Sequence, residues 1–254
     1  MSADLPTTDQ PLVTVVQLDE TAPLDRFADA LDAADVRIRL VRAYAGEDAG
    51  PATELDGLVV LGGRMSAHDD QEPGIAATRT LLADAARHGV PTLGICLGAQ
   101  LLAVATGGRV HVAAPPGRES GVVDVRWRPE AAADPLLGGL AVDAGESDAR
   151  STPMPTMHAD AIVDLPAGAA WLAASRMYPY QAFRVGERAW GVQFHPEASP
   201  ATVRAWALDE GDADAEGVVA AVTAADAEVR PAGTRIAVTF ADLVARRAAD
   251  RATV

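Results

Sequence analysis

Cys96 is the one cysteine of this 254-residue chain, and it lies in Gly94-Ile95-Cys96-Leu97-Gly98-Ala99-Gln100, where an apolar, strand-like run meets a helix-like one. A Gly-x-nucleophile-x-Gly segment permits a tight strand-to-helix turn, because the glycines remove side chains that would collide where the backbone doubles back. Such a turn holds the thiol at its tip, and a helix beginning at Leu97 aims its first N–H groups and positive dipole end at the sulfur, an arrangement that activates a nucleophile. Taken alone, a single cysteine is more often a small buried hydrophobe. A second segment, Gly191-Val192-Gln193-Phe194-His195-Pro196-Glu197, shifts the balance. Pro196 restricts His195 to extended backbone, and in extended chain the His195 imidazole and Glu197 carboxylate lie on the same side. Cys96, His195 and Glu197 thus supply nucleophile, base and orienter. Their chain order differs from that of an α/β-hydrolase, where the acid precedes the histidine.

Two further features belong with these three. Gly62-Gly63 ends an apolar run, and the N–H groups of Gly63 and Leu97 are candidates for an oxyanion hole, although a glycine pair is as readily an ordinary strand-to-helix turn. Gln100 falls one helical turn beyond Cys96. Its amide either reaches a bound substrate or packs inside the helix bundle against a loop.

The elements that must position these groups alternate strand and helix. Leu12 to Leu18, Val36 to Val41, Gly57 to Leu61 and Pro91 to Ile95 read as buried strands, with helices expected over 23–35 and 76–88. This pattern predicts an α/β fold, a mostly parallel central sheet flanked by helices whose sites gather at the carboxyl ends of the strands. After Gly107-Gly108, short pieces at 109–113, 122–127, 161–165, 171–175, 181–185 and 189–194 suggest antiparallel additions. From Pro200 the chain reads as helical, with the acidic stretch 209–214 as a solvated connector. One domain over 1–254 is expected, with a core of about 10–200 and a helical extension of about 200–254.

Composition narrows the function. A net charge of −15 opposes affinity for nucleic acid or anionic membranes. All 21 basic residues are arginine, so no lysine serves a P-loop, a Schiff base or a general base. One thiol forms neither an internal disulfide nor a thiolate zinc site, and no histidine pair has ligand spacing, so no metal and no cofactor are expected. The start of the chain lacks a signal pattern and no apolar run has membrane length, which leads to the expectation of a cytoplasmic protein. Surface or structural roles are expected for His68, His88 and His111.

The combination of Gly62-Gly63, the Cys96 segment, Met157-His158-Ala159-Asp160, Tyr178-Pro179-Tyr180-Gln181-Ala182-Phe183 and the His195 segment, in this order over roughly 10–200, resembles the class I glutamine amidotransferases. The likeness is strongest to stand-alone proteins similar to the amidotransferase domain of GMP synthase. The resemblance implies a flavodoxin-like fold and hydrolysis of the glutamine side-chain amide through a Cys96 thioester, with His195 carrying protons and Glu197 orienting it. It further implies ammonia delivery to an acceptor or to a separate synthetase chain. Gln100 and the backbone around Tyr178 to Gln181 correspond to the family's glutamine-binding positions, and His158 is either a substrate-side residue or a holder of a structural hydrogen bond. Two positions depart from the family pattern: Arg64 stands where proline commonly follows the glycine pair, and Met157-His158-Ala159-Asp160 replaces a Trp-His-Gly-Asp segment. Arg64 either loosens the oxyanion loop or binds a carboxylate. Two other functions stay open, a free-standing γ-glutamyl peptide hydrolase and a non-catalytic regulatory or binding subunit. A wide pocket beyond the amide nitrogen would favour the peptidase.

Overall fold

A computed structural model describes residues 10–147, 150–211 and 213–252. The chain runs β1 (Leu12–Gln17), α1 (Arg26–Ala33), β2 (Arg37–Arg42), β3 (Gly57–Val60), α2 (Ile75–Arg87), β4 (Thr92–Ile95), α3 (Leu97–Ala105), β5 (Arg109–His111) and β6 (Glu119–Trp127). It continues through α4 (Gly138–Glu146), β7 (Thr152–His158), β8 (Ala161–Asp164), β9 (Ala170–Ala174), β10 (Ala182–Val185), β11 (Ala189–Val192), α5 (Pro200–Asp209) and α6 (Ala215–Ala252). Nine strands form one sheet in the order β2-β1-β3-β4-β11-β10-β9-β6-β7. The pairs from β2 to β11 are parallel, and those from β11 to β7 are antiparallel. The expected architecture is therefore observed. β5 and β8 make a separate two-stranded ribbon.

Strand periodicity divides the core. Val13, Val15, Val59 and Leu61 face a layer built from Phe27 and Leu31 of α1 and Ile236, Phe240 and Val244 of α6. Their neighbours Val16, Leu58 and Val60 face the other layer, with Leu82 of α2 and Leu101 of α3. This inside-and-outside alternation is the period of two expected of a strand buried on both faces.

Two elements escape the sequence reading. β7 contains Pro153 and Pro155, which argue against a strand, yet it terminates the sheet, where a missing N–H donor is tolerated. α4 begins with Gly138-Gly139, a poor helix start, and is held by burial of Leu140, Ala141 and Ala144.

The helical extension is part of the core. α6 reaches back to the His195 segment at Gly233, where an added Cβ would come within 2.1 Å of the Pro196 carbonyl oxygen. Gly233→Ala should therefore force α6 away from the sheet and lower stability by about 1–3 kcal/mol. Gly145→Ala, whose Cβ would meet nothing within 4 Å, serves as the control in thermal denaturation. Equal melting temperatures for the two variants would show that the Gly233 contact does not constrain packing.

Candidate active site

Cys96 caps the N-terminus of α3 directly after β4, with φ 51° and ψ −105°. Few non-glycine residues occupy this region, at a strain of about 1–3 kcal/mol. The flanking glycines are needed for space: a Cβ at Gly98 would lie 2.2 Å from the Val60 carbonyl oxygen, and one at Gly94 would lie 2.5 Å from that of Gly98. The turn brings the thiol to the carboxyl end of β4, beside the end of β11.

β11 delivers the partners. Past Val192 the chain bends at Gln193 and Phe194, and the His195 N–H donates to the Pro155 carbonyl of β7 at 2.8 Å. Pro196 and Glu197 form a turn closed by the Ala198 N–H on the His195 carbonyl at 3.2 Å, so the His195 and Glu197 side chains meet across a turn and not along the extended chain expected from the sequence. His195 Nδ1 contacts Glu197 Oε1 at 2.7 Å, and both side chains are almost wholly buried. The ring and Cys96 line the same cleft, and each would meet a Cβ placed on Gly62, at 3.0 and 3.5 Å. Burial opposes a charged imidazole, but the Glu197 carboxylate and the Cys96 sulfur outweigh it and push the His195 pKa up to about 10. The Glu197 carbonyl accepts from the Arg26 N–H at the start of α1. Asp25, just before that helix, accepts from the Ser199 N–H and the Thr202 hydroxyl, each at 2.6 Å. The acidic partner is thus anchored to two helix N-termini.

The oxyanion candidates Gly63 and Leu97 are adjacent: a Cβ on Gly63 would touch the Leu97 side chain at 3.1 Å. Leu97 is the first residue of α3, so its N–H has no partner within the helix. Arg64 closes the loop behind them. Its backbone N–H and Nε donate to Asp19 Oδ2 at 3.2 and 2.9 Å, and its Nη1 pairs with Asp209 at 2.6 Å. Of the two alternatives for Arg64, carboxylate binding holds, and the carboxylates are the chain's own. Burial raises the Asp19 carboxyl, but hydrogen bonds from Arg64 and Thr21 prevail and hold it at about 2.

The substrate-side expectations divide. Gln100 and His158 line the cleft with Cys96, Met157 and Asp160. Gln100 Nε2 donates to the Asp160 carbonyl at 2.9 Å and to Gln193 Oε1 at 3.2 Å. Because a carbonyl only accepts, Gln100 must present its NH2 group here, which leaves Gln193 to turn its own NH2 toward Cys96 Sγ at 3.6 Å. The His158 ring bridges the Asp160 carbonyl, 2.9 Å from Nδ1, and Glu119, 3.2 Å from Nε2. It fixes the cleft wall from behind.

The side chains of Tyr178 and Gln181 are turned away from this cleft. The Tyr178 hydroxyl ties down the 114–117 turn, donating to the Ala114 carbonyl at 2.9 Å. Fully buried Gln181 donates to Glu119 at 2.7 Å. Their hydrogen-bonding groups are held inside the fold. His68 and His88 bond backbone carbonyls outside the cleft, and His111 is exposed.

Three residues that the sequence reading did not single out complete the site. Gln193 lies two residues before His195 in the same segment, but the chain bends between them, so spacing alone did not place its amide beside Cys96. Trp206 of α5, whose ring centroid is 4.7 Å from that of His195, gave no local signal. Glu210 follows α5 and pairs with Arg118 at the mouth of the cleft. The acidic stretch expected to be a solvated connector therefore contributes Asp209 and Glu210 to the cleft rim.

A thiol on a strained strand-to-helix turn, an imidazole beside it and a carboxylate behind the imidazole define an α/β protein built for acyl transfer by a cysteine nucleophile. The family model for glutamine amidotransferase class-I matches residues 25–210, and the chain belongs to that family. It is 37% identical over 143 residues to the glutamine-hydrolyzing GMP synthase of Porphyromonas gingivalis, covering 56% of this chain and 24% of that protein. It is 38% identical over 111 residues to a glutamine-hydrolyzing GMP synthase subunit of Natronomonas pharaonis, covering 43% of this chain and 54% of that protein. The match thus spans about a quarter of the first relative's length and about half of the second's. A glutamine amidotransferase from Thermotoga maritima shares the fold with a TM-score of 0.77 at 23% identity, covering 92% of this chain and 98% of that one. A glutamine amido transferase from Methylobacillus flagellatus gives a TM-score of 0.70 at 26% identity, covering 95% of each chain. No helix among the described residues is long and apolar enough to cross a membrane.

Proposed function

We propose that this chain hydrolyses the side-chain amide of glutamine through a Cys96–His195–Glu197 triad and passes the ammonia to an acceptor or to a separate synthetase chain. The observation that carries the reading is the buried 2.7 Å His195–Glu197 contact set beside a cysteine at a strained turn. The Cys96 thiolate, its proton held on His195, attacks the γ-carbonyl, and the N–H groups of Gly63 and Leu97 stabilise the oxyanion. The C–N bond breaks as the nitrogen takes the His195 proton and leaves as ammonia. A water then gives a proton to His195 and attacks the thioester; the C–S bond breaks and glutamate departs. Glu197 holds the ring's Nδ1 throughout. The relatives named as GMP synthases motivate a partner that consumes ammonia, and a free thiol nucleophile suits a reducing compartment such as the cytoplasm.

Against a non-catalytic subunit, all three chemical groups are present and in register. Against a γ-glutamyl peptidase, the cleft arm beside His195 has a volume of only about 30 Å³. The test supplies pure protein with glutamine and with a glutamine-mimicking chloroketone, measuring ammonia, glutamate and the mass of the adduct. Glutamate and ammonia in equal amounts, with the chloroketone on the Cys96 peptide, are expected. A folded protein that neither releases ammonia nor takes the label would overturn the assignment.

A further inference from the structure

We infer that Trp206 sets the size of the leaving group, closing the His195 side of the cleft so that it accepts ammonia and rejects bulky amines. This deepens the acyl-transfer reading of Cys96 and His195 and rests on it. The cleft has two arms that meet at Cys96. One, of about 360 Å³, contains Gln100 and Asp160. The other, of about 30 Å³, contains His195, Thr21 and Trp206. When the C–N bond breaks, the departing nitrogen must take its proton from His195, so that bond points into the smaller arm. The glutamyl body then occupies the larger one. A water-sized molecule requires about 10–15 Å³ by the same measure, so the smaller arm has room for ammonia or methylamine and not for a bulky amine.

The indole is the wall of that arm, and it is held from several sides. It stacks at a 54° tilt on the His195 ring, and its N–H donates to the Thr21 carbonyl at 2.7 Å. The Trp206 carbonyl accepts from the Glu210 N–H at 2.9 Å. Beyond it, Asp209 pairs with Arg64 and Glu210 with Arg118, so the end of α5 is tied to two other segments. Moving the ring aside would break its packing on His195 and its hydrogen bond to Thr21.

The test compares γ-glutamyl methylamide with γ-glutamyl benzylamide, whose amine leaving groups differ in bulk far more than in reactivity. Glutamine serves as the reference substrate for wild type, Trp206→Phe, Trp206→Leu and Trp206→Ala. Wild type should prefer glutamine and the methylamide over the benzylamide. Trp206→Ala and Trp206→Leu should raise the benzylamide-to-methylamide ratio of kcat/KM by ~10–100-fold, whereas Trp206→Phe should change it little. A general loss of folding would lower all substrates alike and leave the ratio fixed; Trp206→Leu, which keeps an apolar side chain in the packed cluster, guards against that loss. Benzylamide turnover by wild type equal to that of the methylamide, or an unchanged ratio in a leucine variant that still turns over glutamine, overturns the inference and leaves the amidase reading intact. No glutamine turnover and no Cys96 label in wild type removes both.

Discussion

Replacing Cys96 by alanine should abolish ammonia release from glutamine, lowering kcat by at least ~10⁴-fold, while thermal stability changes little. Losing the sulfur removes the only group able to form the thioester, whereas the methyl group of alanine still fills most of its site. The backbone adds a sharper expectation. At φ 51° and ψ −105° the residue is strained, and glycine adopts such conformations without a Cβ penalty. Cys96→Gly should therefore be as inactive as Cys96→Ala and more stable by up to ~2 kcal/mol, after allowing about 0.5–1 kcal/mol for the extra chain entropy of glycine. Urea denaturation of the three proteins measures this order. A strongly destabilised alanine variant would instead mark Cys96 as a packing residue, and a glycine variant no better than alanine would show the elbow to be unstrained.

Glu197→Gln should lower kcat by ~10²–10⁴-fold and move the alkaline limb of the pH–rate profile toward acid. Burial lowers His195, and the charge of the Glu197 carboxylate is the largest single influence that raises it, so without that charge the imidazole titrates at lower pH. Stability follows the same linkage. A histidine whose folded pKa of about 10 lies above its ordinary 6.5 binds its proton more tightly when folded. Its contribution is therefore fully present below about pH 6.5 and is lost as pH rises through about 10. Wild type should exceed the glutamine variant in stability most at pH 6 and least at pH 10.5. A stability gap of the same size at both pH values would contradict the assignment of the proton to His195.

The Asp19 and Asp209 contacts give the Arg64 substitution a physical meaning. Where the family pattern has proline after the glycine pair, this chain uses an arginine that grips Asp19 through both backbone and side chain. Rigidity from a ring is replaced by rigidity from an ion pair. The consequence is that the loop and the end of α5, which carries Asp209, are fastened to each other.

The chemistry of the site was legible because its main pieces are local. Glycines around Cys96 and the proline between His195 and Glu197 act on backbone within two residues, and periodicity of two or three and a half residues is read directly from spacing. The parallel half of the sheet was legible for the same reason. β7 was not, since prolines forbid an interior strand and only position at the sheet edge makes them harmless. The directions of the Tyr178 and Gln181 side chains were not legible, because a motif fixes where a residue lies along the chain, while the partner of its polar group depends on segments more than sixty positions away.

By itself the sequence determined which atoms could react, that the histidine and its acidic neighbour are close along the chain, and the α/β frame that gathers strand ends on one side. The tertiary structure alone decided which way each amide turns, that Arg64 closes on Asp19 and Asp209, and that Trp206 reduces one arm of the cleft to the size of a small molecule. The division has a single cause: backbone geometry is dictated by neighbours in the chain, whereas the direction of a long polar or aromatic side chain is dictated by whatever the packed fold places against it.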